Sequence, residues 1–292
     1  MFDAKQFRKA SCQAVLASMK EIRPFLLGQK EIGQIKSKED ETLLTIADRL
    51  SEEAGFKVLR KAFPDVPIIR EESGLSKGSA GWEIWYDPVD GTAPFTIGAA
   101  TSVVICAAYD PKNKTLLAVT IGEPAYGRLW TAILGKGCRF MSMGRQPAMR
   151  ECRVWSGDLK SDTAVFLDLT RGFAREKGQR QILTNEQVQE LVKSLCLVTR
   201  LQMYGSNGMH QALVAHGNEK VVGGITTAMG GPWDAAGALL VHEAGGKCAA
   251  YRIESSIYFQ ADPLDPMAYD VLVYTNNDRT LPFLTEKFYG LF

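Results

Sequence analysis

Apolar residues recur along residues 4–27 at three- and four-residue intervals, with Phe7, Cys12, Val15, Leu16, Met19 and Ile22 on one stripe. That spacing predicts an amphipathic helix, which Pro24 and Gly28 should close. A second helix is expected over 41–63, with Leu43, Ile46, Leu50, Val58, Leu59 and Phe63 on its apolar face and Pro64 ending it. The polar residues 36–40 between them read as a loop. Ile68 and Ile69 make a short buried strand that runs directly into Arg70, Glu71 and Glu72. From 82 to 134 the pattern becomes strand-like, with apolar runs at 83–86, 102–109, 116–121 and 129–134 separated by Asp, Pro, Asn and Gly. These predict one mostly antiparallel sheet.

The segment 141–184 is polar and mixed, and its Arg171, Arg175, Lys177 and Arg180 read as a solvated surface. A domain boundary is expected near 150, dividing the chain into 1–150 and 151–292. Beyond it the periodicity predicts a helix at 186–195, a strand at 196–201, a helix at 206–216 closed by Gly217, a strand at 220–223 and a helix at 235–244 closed by Gly245 and Gly246. No internal repeat or low-complexity tract interrupts the chain.

A chain of 292 residues, 46% hydrophobic and 23% charged, can bury a substantial core and does not have the composition of a disordered protein. With 34 basic and 33 acidic residues the net charge is +1, so no global field draws it to nucleic acid or to an anionic membrane. The apolar run 102–109 has the length of a strand, far short of the roughly 20 residues that span a bilayer. The first residues lack the pattern of a secretory signal, and a cytoplasmic location is expected. The six cysteines form no CxxC pair and lie mostly in apolar segments, which predicts buried, reduced thiols.

Chemistry concentrates where acids end apolar strands. Asp87-Pro88-Val89-Asp90-Gly91-Thr92 sets two carboxylates three residues apart around a proline-fixed turn. A turn alone explains Asp-Pro and Asp-Gly, but Glu71 leaves a separate strand and Asp234 precedes the small residues Ala235, Ala236 and Gly237 at a helix start. Carboxylates placed this way repel one another unless a cation sits among them, and all-oxygen ligation suits Mg²⁺ or Mn²⁺ better than zinc. His210, His216 and His242 fall within predicted helices and read as surface or helix residues, not as ligands.

Taken together, Glu71-Glu72-Ser73-Gly74, the Asp87–Thr92 segment, Glu123-Pro124 with Gly127 and Trp130, and Trp233-Asp234-Ala235-Ala236-Gly237 with Glu243-Ala244-Gly245-Gly246 resemble the inositol monophosphatase family of lithium-sensitive, metal-dependent phosphatases. The resemblance extends over about residues 36–278. It implies an α/β (α+β) fold, a layered α-β-α-β-α sandwich of the inositol monophosphatase and fructose-1,6-bisphosphatase type, with two or three Mg²⁺ ions. It further implies that Glu71, Asp87, Val89 (through its carbonyl), Asp90 and Asp234 bind metal, and that Glu71, Thr92 and Asp48 prepare the attacking water. Substrate would meet Asp90, Gly91, Thr92, Asp234 and a loop matching Gly205, Ser206 and Asn207.

Three positions depart from the family pattern. Arg70 replaces the usual glycine, Asn207 replaces a small residue, and Thr227, seven residues before Asp234, stands where inositol phosphatases carry a glutamate. A small phosphate ester is therefore the expected substrate, with inositol phosphate, fructose bisphosphate, nucleotide and histidinol phosphate all open. A homodimer without nucleic-acid or membrane partners is expected. The alternative is a family member without catalysis that binds protein or RNA as a regulator.

Overall fold

The computed structural model describes residues 1–33, 35–37, 43–143, 149–169, 183–227, 229–254 and 257–291. The basic residues Arg171, Arg175, Lys177 and Arg180 lie outside the described residues. The chain opens with α1 (Ala4–Leu26), which the Asp3 carboxylate caps by accepting Lys5 N at 2.9 Å and Gln6 N at 3.0 Å. Pro24 does not close α1: it sits in the last turn, where the carbonyl of Arg23 still receives Leu27 N at 3.0 Å and its own receives Gln29 N at 2.8 Å. A ribbon of β1 (Lys36–Ser37) and β2 (Leu43–Leu44) precedes α2 (Ile46–Ala62). The second helix thus starts later than its apolar pattern suggested, because Thr45 caps it with its hydroxyl while Asp48 accepts Thr45 N at 2.8 Å. Leu43 lies in the ribbon, outside α2, and Ile46 is exposed and does not join the core face.

The first sheet is built from β3 (Ile68–Arg70), β4 (Gly74–Ser76), β5 (Glu83–Asp90), β6 (Val103–Asp110), β7 (Thr115–Glu123), β8 (Arg128–Ile133), β9 (Cys138–Ser142) and β10 (Met149–Glu151), with the short α3 (Thr92–Thr96) between β5 and β6. Its order is β10-β9-β8-β7-β6-β5-β3-β4, antiparallel except for the parallel pair β3 and β5. The second sheet comprises β11 (Ala164–Asp168), β12 (Arg200–Gln202), β13 (Val221–Thr226), β14 (Lys247–Glu254), β15 (Ile257–Ala261) and β16 (Val271–Thr275) in the order β12-β11-β13-β16-β14-β15. Its helices are α4 (Asn185–Cys196), α5 (Asn207–His216), α6 (Ala238–Glu243) and α7 (Thr280–Tyr289). The strand expected at 196–201 is thus replaced by the end of α4 and by β12. The helix expected at 235–244 is divided into a 3₁₀ turn, Pro232–Ala235, and α6.

Strand alternation builds the layers. Ile84, Tyr86, Val104 and Cys106 pack against α1 and α2, whereas Trp85, Val103, Ile105 and Ala107 pack with Met209, Ala212, Leu239 and Leu240 of α5 and α6. In the second sheet Phe166, Leu272 and Tyr274 face that same middle helix layer, and Val165, Leu167, Val271 and Val273 face α4 and α7. The central strands of each sheet are buried on both faces, which is why they read as nearly continuous apolar runs. The architecture is the expected α-β-α-β-α sandwich.

One local reading changes. Cys106, Cys138 and Cys152 are buried and Cys12 and Cys248 half-buried, but Cys196 is exposed: it follows buried Leu195 on α4 and turns about 100° away from the core. His210 is fully buried in α5, stacked on Phe166 with ring centroids 4.7 Å apart. Burial pushes its pKa down to about 3, so the ring is neutral, and its Nε2 accepts Tyr204 N at 3.0 Å.

Candidate metal centre

In a regular strand, residues three apart point to opposite faces, so Asp87 and Asp90 could not meet. Here β5 is bulged against β6: Asp87 pairs with Ile105 and Asp90 with Val103, three steps along one strand against two along the other. The extra residue restores a common direction, and Pro88 occupies the interruption, where its missing N–H breaks no ladder bond. Val89 N–H donates to Asp87 Oδ1 at 2.9 Å and closes the turn.

Asp234 arrives from the turn before α6. The Pro232–Ala235 turn presents it, Gly230 N–H and Gly231 N–H donate to its Oδ2, and Gln211 Nε2 of α5 donates to its backbone carbonyl at 2.8 Å. Asp87, Asp90 and Asp234 are all buried, and each offers a carboxylate oxygen within 4.8 Å of the others. Glu71, at the end of β3, is tied to Asp87 by a side-chain hydrogen bond, and its own N–H donates to the Tyr86 carbonyl at 3.0 Å.

The electrostatics follow from that crowding. Burial holds the Asp87 carboxyl well above the usual range, reinforced by the charges of Glu71 and Asp90, the Glu71 hydrogen bond and Asp234. Asp90 is raised to about 7, chiefly by burial, although Ser206 Oγ and Gly208 N–H both donate to its Oδ2 at 2.7 Å. Asp48, fully buried in the first turn of α2, is also raised by burial, against the hydrogen bonds from Thr45 and with Glu71 adding to the rise. Acids that cannot all ionise together on their own are suited to a cation that would neutralise them. Among the described residues this is an all-carboxylate group with no histidine or cysteine, a hard-oxygen donor set that fits Mg²⁺ or Mn²⁺.

Of the other expected residues, Thr92 stands at the end of the same turn. Its hydroxyl reaches Asp48 Oδ1 at 3.2 Å and the Val89 carbonyl at 3.1 Å. Gly91 has φ +86°, and a Cβ there would lie 2.9 Å from Gly205 O and from Ser206 Cβ, so both conformation and contact require glycine. Ser206 caps α5 and bonds Asp90, which brings the 205–207 loop to the centre. Asn207 Oδ1 instead accepts the Thr226 hydroxyl at 3.0 Å. Thr227 is buried, and its hydroxyl donates to the Asp168 carbonyl at 3.3 Å.

Sequence reasoning missed Asp168. Buried at the end of β11, it adds a charge that raises Asp90. The signal was present, since an acid ends the apolar run Val165-Phe166-Leu167 as Asp87 ends its own, but the polar surroundings of 141–184 concealed the strand. Gly208 was missed as well: a Cβ would crowd Ile105 Cδ1 at 2.8 Å and Asp90 Oδ2 at 3.0 Å.

The model of the inositol monophosphatase family matches residues 3–289. The chain belongs to the inositol monophosphatase family. Relatives within and around it differ in what they are named for. The chain is 32% identical over 205 residues to the Nus factor SuhB of Pasteurella multocida, covering 70% of each chain. It is 28% identical over 209 residues to a fructose-1,6-bisphosphatase/inositol-1-monophosphatase of Thermotoga maritima, again covering 70% of each. In fold it is similar to the extragenic suppressor protein suhB of Bartonella henselae, with a TM-score of 0.75 and 22% identity over 96% of this chain and 97% of that one. No helix among the described residues is long and apolar enough to cross a membrane.

Proposed function

We propose that this family member is a divalent-metal-dependent phosphomonoesterase acting on a small phosphorylated polyol, sugar or nucleotide. The observation that carries the reading is the buried group Asp87, Asp90 and Asp234, drawn from β5 and from the turn before α6 to within 4.8 Å. Those three carboxylates, with Glu71 and the Val89 carbonyl, would hold Mg²⁺, two or three ions in all. The bound cations would supply water of lowered pKa near neutrality and neutralise charge on the phosphoryl and leaving oxygens.

The chain's own groups do the positioning. The Thr92 hydroxyl has one proton to give to Asp48 Oδ1 or to the Val89 carbonyl, so its oxygen is left to accept from the attacking water. Asp48 and Glu71 support that orientation. Gly91 and Thr92 receive the phosphate, and Gly205, Ser206 and Asn207 border the part of the substrate beyond it. Thr227 supplies a neutral hydroxyl already directed at a backbone carbonyl, so the site lacks the charge-assisted acceptor that would favour a ring rich in hydroxyls. A Li⁺-sensitive cytoplasmic homodimer completes the reading.

A second reading, a protein- or RNA-binding role, is favoured by the name of the Pasteurella relative. Against it stand the retained acids and a net charge of only +1. Phosphate release from a panel of inositol, fructose, nucleoside and histidinol phosphates, with Mg²⁺ and with EDTA, separates the two. Hydrolysis of at least one ester in Mg²⁺ alone is expected. Failure with every ester by protein that still binds Mg²⁺ would favour the binding role.

A further inference from the structure

Asp48, Ser51 and Glu52 stand at positions i, i+3 and i+4 of α2 and share one face of the helix. Each holds a different piece of the metal centre's scaffold. Asp48 meets the Thr92 hydroxyl at 3.2 Å, and Ser51 Oγ donates to the Pro88 carbonyl at 2.8 Å, so both ends of the Asp87–Asp90 turn are pinned to the helix. Glu52 reaches the other acid-bearing segment. Its Oε2 accepts Glu72 N–H at 2.9 Å, and its Oε1 accepts the Ser73 hydroxyl and faces Arg70 Nη1 at 3.4 Å. Both carboxylate oxygens are thereby committed, and the residue is buried.

The segment it holds needs such a tie. Glu71 leaves β3 beside β4, the edge strand of the sheet, and Ser73 and Gly74 are exposed. Arg70, the residue that departs from the family's glycine, has its guanidinium 4.2 Å from the centre of the Phe56 ring, with Nη2 donating to Ser76 Oγ at 3.2 Å. Arg70 on one side of Glu71 and Glu72 and Ser73 on the other therefore converge on the one buried carboxylate.

We propose that Glu52 is a positioning residue for the metal centre: by bracing the residues on both sides of Glu71 against α2, it holds that acid towards Asp87, Asp90 and Asp234 and so sets divalent-metal affinity. The proposal rests on reading those acids as metal ligands. A polar residue that orients ligands in this way typically changes metal affinity by roughly 10- to 100-fold when altered.

The test is calorimetric titration of chelator-treated full-length protein with Mn²⁺ alone, beside thermal melts. Wild type should bind; absence of binding would overturn the metal reading itself. Glu52→Gln, which keeps the shape but replaces an acceptor with a donor facing Arg70 and Ser73, should weaken Mn²⁺ by roughly tenfold or more. Turnover at saturating Mn²⁺ should stay within about threefold of wild type, so that the defect lies in metal binding. Leu59→Val, which loosens the buried face of α2 away from the turn, should leave the affinity within about twofold. Should Glu52→Gln fail to fold, Ser73→Ala removes one donor at an exposed position and should weaken Mn²⁺ about two- to fivefold. The proposal is overturned if wild type binds and both Glu52→Gln and Ser73→Ala match it within experimental error. It is equally overturned if Leu59→Val weakens binding as much as Glu52→Gln.

Discussion

Asp90→Asn should make the metal-free protein more stable while removing its activity. The amide oxygen introduced there can keep both donors that Asp90 Oδ2 now accepts, Ser206 Oγ and Gly208 N–H at 2.7 Å each, and its NH₂ then faces acceptors on Asp87 and Asp234. What disappears is a buried charge. The folded Asp90 carboxyl holds its proton to about pH 7, whereas the unfolded chain releases it near 3.8. Between those values the native state binds the extra proton, so the Asp90 contribution to wild-type stability falls as pH rises through the window and is flat above it. About three pH units at about 1.36 kcal/mol each amount to about 4 kcal/mol. The amide does not titrate, so the variant's advantage should open from about pH 4, reach full size near pH 7 and persist at pH 8. For a chain of this size that is a Tm difference on the order of 10 °C. Paired thermal melts in EDTA at pH 5 and pH 8 read the effect, and phosphate release in Mg²⁺ should show a loss of about two orders of magnitude in kcat, from a cation that contributes several kcal/mol to the transition state. A variant less stable than wild type at pH 8, or a gap equal at both pH values, would refute the argument from buried repulsion; unchanged turnover in folded protein would refute the catalytic one.

Removing metal with EDTA should abolish turnover and Mg²⁺ should restore it; because protons compete for Asp87 and Asp90, both raised, the Tm gain on adding Mg²⁺ should grow with pH up to at least about 7, as differential scanning fluorimetry would show. Li⁺ at millimolar concentration should inhibit steady-state phosphate release, and a flat response at every Mg²⁺ concentration would place the chain outside the lithium-sensitive group. Gly91→Ala should cost roughly 1–3 kcal/mol in denaturant unfolding, since it forces a side chain into the left-handed region, and should lower kcat as the added methyl pushes against Gly205 and Ser206.

What was legible in the sequence was whatever local spacing controls. The stripe Phe7 to Ile22, the runs of the central sheet and the acids at their ends follow from periods of 3.6 and 2, and from those the two helices, the sheet and the candidate ligands Glu71, Asp87, Asp90 and Asp234 were read with the family resemblance. Element ends were read less well, because a cap outweighs a stripe: Thr45 with Asp48 starts α2 after Leu43, and helical carbonyls that find donors beyond Pro24 carry α1 past it. Tertiary structure alone decided convergence. A one-residue bulge turns Asp87 and Asp90 the same way, packing of both sheets on the one middle layer of α5 and α6 brings in Asp234 from the turn before α6 and Asp168 from the second sheet, and one face of α2 reaches both acid-bearing turns through Asp48, Ser51 and Glu52. Sequence spacing sets which way a side chain points within its own element, but which elements meet depends on the burial of both faces of two sheets, a property of the packed chain and of no single segment in it.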